Sequence, residues 1–302
     1  MSPSSRTGGE LLVECLSKLG VTTSFGVPGE SYLAVLDALY DADIRFTLCR
    51  HESAAGFAAA AYGKLTGAPG IGFVTRGPGA TNASIGVHTA MQDSSPMILF
   101  IGQVGVNDKG REAFQEVDYR AFFTPLAKWA TEIDNPDRIP EIISRAWHMA
   151  LSGRPGPVVV ALPEDMLTTL TESKPCQPVV IAEAGVDKDG LTQALEMLSA
   201  AENPLIIAGG GGWNAAGKKA LQRFAESQNI AVSAAFRYHD VIDNHSPIYI
   251  GDAGVGMAPH ISAAMREADV ILALNISPGE GTTQAWTLLD VPSAKQKIIH
   301  VH

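Results

Sequence analysis

Apolar residues recur along this chain in two alternating rhythms. From Thr7 to Leu19 the residues Leu11, Leu12, Cys15, Leu16 and Leu19 keep helical spacing, and Gly20 is placed to end the helix. A strand follows over Thr22 to Val27, then a turn at Pro28-Gly29-Glu30-Ser31 and a helix through about Tyr40. Ile44 to Cys49 alternate as a strand does, and an Ala-rich helix opening at Glu52 follows. Gly70 to Thr75 is the next strand, and Arg76-Gly77-Pro78-Gly79-Ala80-Thr81-Asn82 turns into another helix. Pro96 to Gly102 is a short apolar run of the buried-strand kind. Strand and helix in repeated alternation predict a mostly parallel sheet with helices on both faces, so the fold class is α/β and doubly wound.

The regularity then breaks. Gln103 to Trp129 is a long, partly polar connection, and such connections in compact domains are commonly functional. A helix from about Asp137 to Leu151 and a strand from Pro157 to Pro163 close a first domain, taken as residues 1–168. Residues 169–189, with Pro175 and Pro178 and no periodicity, read as a linker. A second α/β unit occupies 190–302, with a helix over Leu191 to Ala201, a strand over Pro204 to Ala208, glycines at 209–212 and a helix from about Ala215 to Glu226. Glycines after a strand suggest a nucleotide-binding turn, yet the spacing is not the dinucleotide fingerprint and lacks its acidic partner.

Composition narrows the function classes. The chain has 302 residues, 46% hydrophobic and 18% charged, with 30 glycines, a composition suited to a well-cored soluble protein of about two domains. No apolar run is long enough to span a bilayer, and Met1 to Arg6 is not followed by a signal-peptide core, so a cytoplasmic location is expected. A net charge of -10, with no basic tract, speaks against nucleic acid or an anionic membrane as partner. Cys15, Cys49 and Cys176 have no metal-ligand spacing and are expected as free thiols.

The candidate chemistry centres on Glu52. An acid in the first turn complements the helix dipole, and that alone is one reading of it. The other follows from the small apolar residues around it, which let another surface come close and leave the carboxylate in an enclosed helix end. Gly77 and Gly79 about Pro78 allow close backbone approach to a flat ligand, and Thr81 or Asn82 can cap the helix or donate to that ligand. Phe25-Gly26-Val27-Pro28-Gly29, Arg50-His51-Glu52, Gly77-Pro78-Gly79-Ala80-Thr81-Asn82, Pro96-Met97 and Gly102-Gln103 stand in fixed order. This ordered set resembles the pyrimidine-binding domain of thiamine-diphosphate enzymes. Glu112 to Glu116 and Ser152 to Val158 resemble the acetolactate synthase branch most closely.

The resemblance implies a catalytic role for Glu52 and Gln115, with Glu52 exchanging a proton with N1′ of the cofactor's aminopyrimidine. It implies that Val27, Pro28, Gly29, Glu30, Glu52, Thr75, Pro78 and Asn82 contact thiamine diphosphate, and that Phe114 and Gln115 border the substrate channel. Pro28-Gly29 as an ordinary turn, Phe114 as a loop anchor in the core and His88 as a satisfied helix-face histidine are the plainer readings of those residues. The implied reaction decarboxylates a 2-keto acid and passes the acyl carbanion to a second carbonyl. A 2-keto-acid decarboxylase, a nucleotide enzyme using Gly209 to Gly212 and a naturally short binding or assembly homologue are the alternatives. Family members carry Leu-Pro-Lys-Asp where this chain has Leu162-Pro163-Glu164-Asp165, so attraction of an anionic 2-keto acid is expected to be weakened at the substrate entrance. No arginine stands in Ala273 to Glu280 as in FAD-binding members, so FAD is not expected. The diphosphate and its Mg2+ are expected on a domain missing from this chain, with the enzyme a homodimer or homotetramer whose working site lies at a subunit interface.

Overall fold

The computed structural model describes residues 5–178, 180–182 and 184–302, which form two units dividing after Ala182. In the first, β1 (Arg6–Thr7) leads into α1 (Gly8–Lys18). Thr7 fixes the start of that helix through a reciprocal cap. Its hydroxyl accepts from the Glu10 N–H at 3.2 Å while the Glu10 carboxylate accepts from the Thr7 N–H at 2.6 Å. There follow β2 (Thr23–Gly26), α2 (Leu33–Tyr40), β3 (Arg45–Leu48), α3 (Glu52–Thr66), β4 (Gly70–Val74), α4 (Pro78–Gln92) and β5 (Met97–Gln103). Then come α5 (Tyr119–Phe123), β6 (Trp129–Glu132), α6 (Ile139–Leu151), β7 (Pro157–Pro163), α7 (Glu164–Thr168) and β8 (Leu170–Thr171).

Six of these strands form one parallel sheet in the order β3-β2-β4-β5-β7-β6. Every residue of β4, β5 and β7 is buried, which is why they read as continuous apolar runs and not as alternating strands. Alternate residues serve opposite faces. Ile71, Phe73, Ile98 and Phe100 pack with α1, α2 and α6, whereas Val74, Leu99 and Ile101 pack with α3, α4 and α5. The chain leaves β2 for the edge strand β3 and returns to β4 on the other side of β2. A crevice therefore opens beyond the carboxyl ends of β2 and β4, where ligands bind in folds of this kind.

Some local boundaries differ from the sequence reading for physical reasons. A 3-10 turn over Glu30–Tyr32 precedes α2, and the connection after β5 holds a 3-10 turn at Val106–Asp108 as well as α5. The half-buried edge strand β6 has too little apolar contrast to be read as a strand. The expected linker begins inside the first unit, because β8 pairs antiparallel with β1 and Cys176 lies buried against Cys15, its N–H 3.4 Å from the Cys15 sulfur.

The second unit comprises α8 (Lys188–Ser199), β9 (Pro204–Ala208), α9 (Ala215–Gln228), β10 (Ala231–Ala235), β11 (Tyr249–Ala253), α10 (Pro259–Glu267), β12 (Val270–Leu274), α11 (Glu280–Thr283) and β13 (Lys297–Val301). Its five strands are parallel in the order β11-β10-β9-β12-β13. The glycine turn after β9 is filled by its own neighbours. A Cβ on Gly210 would lie 1.7 Å from the Asn275 carbonyl oxygen, the Asn275 amide donates to the Gly211 carbonyl, and the Trp213 indole donates to Gly209 O at 2.6 Å. Close backbone approach thus accounts for glycine there.

Candidate active site

Glu52 is the first residue of α3, and His51 caps that helix through Nδ1, which accepts from the Ser53 N–H at 3.2 Å. Across from it Gly77, with φ +60°, and Pro78 start α4. Proline suits that first position because its missing N–H would have no partner in the helix. One turn further, the Asn82 amide donates to Glu52 Oε2 at 3.0 Å. The other oxygen, Oε1, lies beside Gly79, where a Cβ would approach it to 3.5 Å, and it has no hydrogen-bond donor among the described residues. One carboxylate oxygen is therefore anchored and the other is available. The Thr81 hydroxyl is used locally, donating to Pro78 O at 3.0 Å.

The enclosure expected around Glu52 is not provided by this chain alone. The carboxylate is half-buried, and on the same side Phe57, Thr81, Asn82, Ile85 and His88 are exposed. Helices α3 and α4 bury small residues against each other, notably Gly56 and Gly86, and turn this mixed face outward.

The crevice beyond β2 and β4 gathers the other expected residues. Val27 is half-buried and Pro28 exposed, and Gly29 meets Thr75 so closely that a Cβ would fall 2.4 Å from the Thr75 Cβ. Tyr32, buried beneath, donates to the Val27 carbonyl; burial and the nearby Glu52 charge push its phenol well above the usual tyrosine range. Thr75 Oγ1 lies 2.9 Å from Ser31 Oγ, which also accepts from the Arg76 N–H at 3.2 Å.

Arg76, which the sequence reading passed over, is buried at the centre of this cluster. Its Nε donates to Phe114 O at 3.1 Å, its Nη1 to Glu164 Oε2 at 3.1 Å, and its Nη2 lies 3.6 Å from Glu30 Oε1. The acid at 164 is thus paired within the chain, so the expected repulsion of an anionic substrate is partly offset by Arg76. Nothing local in the sequence relates residues 76 and 164; only the folded sheet does. Phe114 is 73% exposed, which removes its reading as a core anchor. Gln115 adopts φ +64° and sits against Gly77, where a Cβ would meet its own Cβ at 2.7 Å. Glu30, Ser31 and Glu164 also line a cleft of about 390 Å3 together with Asp108 and Asp165. No group of three His, Cys, Asp or Glu side chains able to hold a metal ion occurs among the described residues.

A parallel sheet with an anchored carboxylate and a glycine-proline-glycine turn at the carboxyl ends of its strands defines an α/β protein whose candidate ligand site lies at that edge. Residues 6–122 match the family described as thiamine pyrophosphate enzyme, N-terminal TPP binding domain, and residues 191–302 match thiamine pyrophosphate enzyme, central domain. The chain belongs to the thiamine pyrophosphate enzyme family. It is 33% identical to the acetolactate synthase isozyme 2 large subunit of Escherichia coli K12 over 88% of this chain and 49% of that protein. It is 34% identical to the probable acetolactate synthase large subunit of Methanocaldococcus jannaschii over 97% of this chain and 50% of that protein. It is 30% identical to the acetolactate synthase of Bacillus subtilis over 97% and 51% respectively. The chain spans about half the length of these curated relatives.

Proposed function

We propose that this chain supplies the pyrimidine side of the active site in an acetolactate synthase-like, thiamine-diphosphate-dependent enzyme that decarboxylates a 2-keto acid and joins the acyl unit to a second carbonyl. The observation that carries this reading is the Glu52–Asn82 pair at 3.0 Å beside Pro78 and Gly79. The donor set fits an aminopyrimidine. Asn82 holds one carboxylate oxygen of Glu52 still, the free Oε1 is placed to share a proton with a ring nitrogen, and Gly79 leaves room for a flat ring. Thiamine diphosphate, when bound, supplies the carbanion chemistry that removes carbon dioxide from the keto acid. The chain's own part is to hold and move one proton at Glu52 Oε1, to support the ring with Pro78 and Asn82, and to shape its surroundings with Val27 to Glu30 and Thr75.

In this reading the diphosphate and a divalent metal are held by residues outside this chain, and the outward face of α3 and α4 is covered by a second subunit. The exposed Phe57 and Ile85 beside a half-buried Glu52 support such cover. The same subunit contact would complete the desolvation that strengthens a proton relay. Glu164 stands where family members carry lysine, and because its own charge is paired with Arg76, what the site lacks is the lysine's attraction for a second keto acid; this supports simple decarboxylation as the second reading. A cytoplasmic site of action is proposed with it; no helix among the described residues is long and apolar enough to cross a membrane.

The test is Glu52→Gln in the complete protein. It is expected to bind thiamine diphosphate about ten- to a hundredfold more weakly, the loss that a hydrogen bond to a charged group of about 1.5–3 kcal/mol implies, and to lose nearly all turnover of pyruvate. Turnover equal to the parent's would end this reading. Product analysis by chromatography, separating acetolactate from acetaldehyde and mixed acyloins, decides between the two reactions.

A further inference from the structure

The Arg76 cluster reaches beyond the cofactor contacts. Its guanidinium is the point where four separate segments meet: the turn after β2 through Glu30, the end of β4 that carries Arg76 itself, the connection after β5 through Phe114, and the start of α7 through Glu164. Arginine suits this role. It stays charged in a buried place, and its planar fork can meet a carbonyl and a carboxylate at once, which a lysine ammonium on its flexible stem does not do with the same geometry.

The segment it holds is otherwise lightly tied. Between Gly110 and Val117 the hydrogen bonds run from Gly110 N–H to Glu116 Oε1 at 2.8 Å, from Glu116 N–H to Ala113 O at 3.0 Å and from the Gln103 amide to Val117 O at 2.9 Å. The first two are internal to the segment. The third fixes its end to β5. Phe114, whose ring stands largely in solvent, is held at its carbonyl by Arg76 alone among the described residues, and Gln115 in its left-handed conformation rests on the bare backbone of Gly77. The charge of Arg76 is meanwhile met by Glu164 and Glu30 from its own chain, which leaves little of it to attract a substrate anion.

We propose that Arg76 is a positioning residue: it clamps the Phe114–Gln115 segment over the Gly77-Pro78-Gly79 turn, and Glu164 holds the guanidinium in that task. The clamp is a property of this chain; its effect on substrate rests on the proposed function above.

Hydrogen exchange read by mass spectrometry on the complete protein tests the clamp directly. Arg76→Gln and Arg76→Lys are expected to speed exchange at the Glu116 amide, the bonded amide within residues 112–117, by about tenfold while the amides of β4 and β5 keep their protection. In the same proteins KM for the carbonyl substrates is expected to rise several-fold, with thiamine diphosphate affinity unchanged and kcat largely kept, a split that general loosening of the domain would not give. Unaltered exchange at 112–117 in a folded Arg76→Gln protein overturns the proposal. Faster exchange with KM unmoved bears out the clamp and overturns the placing of the segment at the substrate. Should Arg76→Gln fail to fold, Glu164→Gln keeps the arginine in place and is expected to raise exchange at 112–117 by a smaller factor; no change there overturns the proposal equally. Failure of the cofactor reading is seen separately, as retained turnover in Glu52→Gln, and leaves the exchange result standing.

Discussion

Gly77 is held from both sides by residues that no local pattern connects to it. Its N–H donates to the buried Tyr119 hydroxyl at 2.7 Å, while Gln115 packs against the face where a side chain would stand. Tyr119→Phe keeps the ring packing and removes the acceptor of that N–H, so unfolding stability in urea is expected to fall by about 1–3 kcal/mol, the cost of a buried donor left unpaired. Alkaline pH probes the same group. Burial pushes the Tyr119 phenol up to about 12, from about 10 in an unfolded chain. The folded state therefore resists ionisation, and its stability is fully present below about pH 10 and drains away as pH rises toward 12. Urea midpoints measured from pH 9 upward are expected to fall less steeply in Tyr119→Phe, with Tyr32, Tyr249 and Cys15, also shifted upward, keeping part of the slope. At this scale the sequence was only partly legible. Glu52 stands out because an acid in the first turn of an Ala-rich helix is unusual; the family resemblance implies that it and Asn82 contact one cofactor, and only the fold shows the hydrogen bond between them. Arg76 was hidden because its carboxylate partners lie 46 and 88 positions away, and the opposite charge at 164 was read as a free field when the fold pairs it.

Helices α3 and α4 set the distance between Glu52 and Asn82, and they do so with glycine. A Cβ on Gly86 would lie 2.4 Å from the Gly56 carbonyl carbon, and one on Gly56 would lie 3.0 Å from the Ala83 carbonyl oxygen. Gly86 is four residues beyond Asn82 and so shares its face of α4. Alanine at 86 gains about 1 kcal/mol of helix propensity. The backbone clash outweighs it, since overpacking between rigid elements costs about 1–3 kcal/mol and can only be relieved by moving one helix. Gly86→Ala is expected to lower the denaturation midpoint and, by pushing α4 away, to lengthen the Glu52–Asn82 hydrogen bond and weaken thiamine diphosphate binding in fluorescence titrations. A more stable protein with unchanged cofactor affinity would contradict the glycine contact. Elements of this kind were the most legible part of the fold. Buried parallel strands announce themselves as short runs such as Met97 to Ile101, and helices with one apolar stripe such as α1 keep a clear period. The edge strand β6 and the two-residue strands β1 and β8 were not legible, because their pairing partners are distant and their own residues are half-exposed or too few to show a period.

Two cores of different residues divide the molecule. One is built on the six-stranded sheet between α1, α2 and α6 on one face and α3, α4 and α5 on the other; the second surrounds β9, β10 and β12. Composition suggested two domains from length alone, but it could not show that the first unit keeps its hold on the chain past residue 169. Pairing of Thr171 with Arg6, the Thr171 hydroxyl bond to Asp137 and the buried Cys176 carry that hold forward. Beyond Cys176 the described residues up to Asp187 form no helix or strand, and they include Val180, 90% exposed, and Val186, 74% exposed. Exposed apolar residues in extended chain are what a protease specific for bulky apolar sites needs, whereas backbone within either sheet is protected by its hydrogen bonds and burial. Brief thermolysin treatment is therefore expected to cut first beside Val180 or Val186, giving fragments that end and begin there by mass, with the far-ultraviolet circular dichroism of the digest matching that of the intact protein. A first cut inside β2 to β7, or loss of the dichroism on cleavage, would mean that the two cores do not stand as separately folded units, and the domain boundary would have to be placed elsewhere.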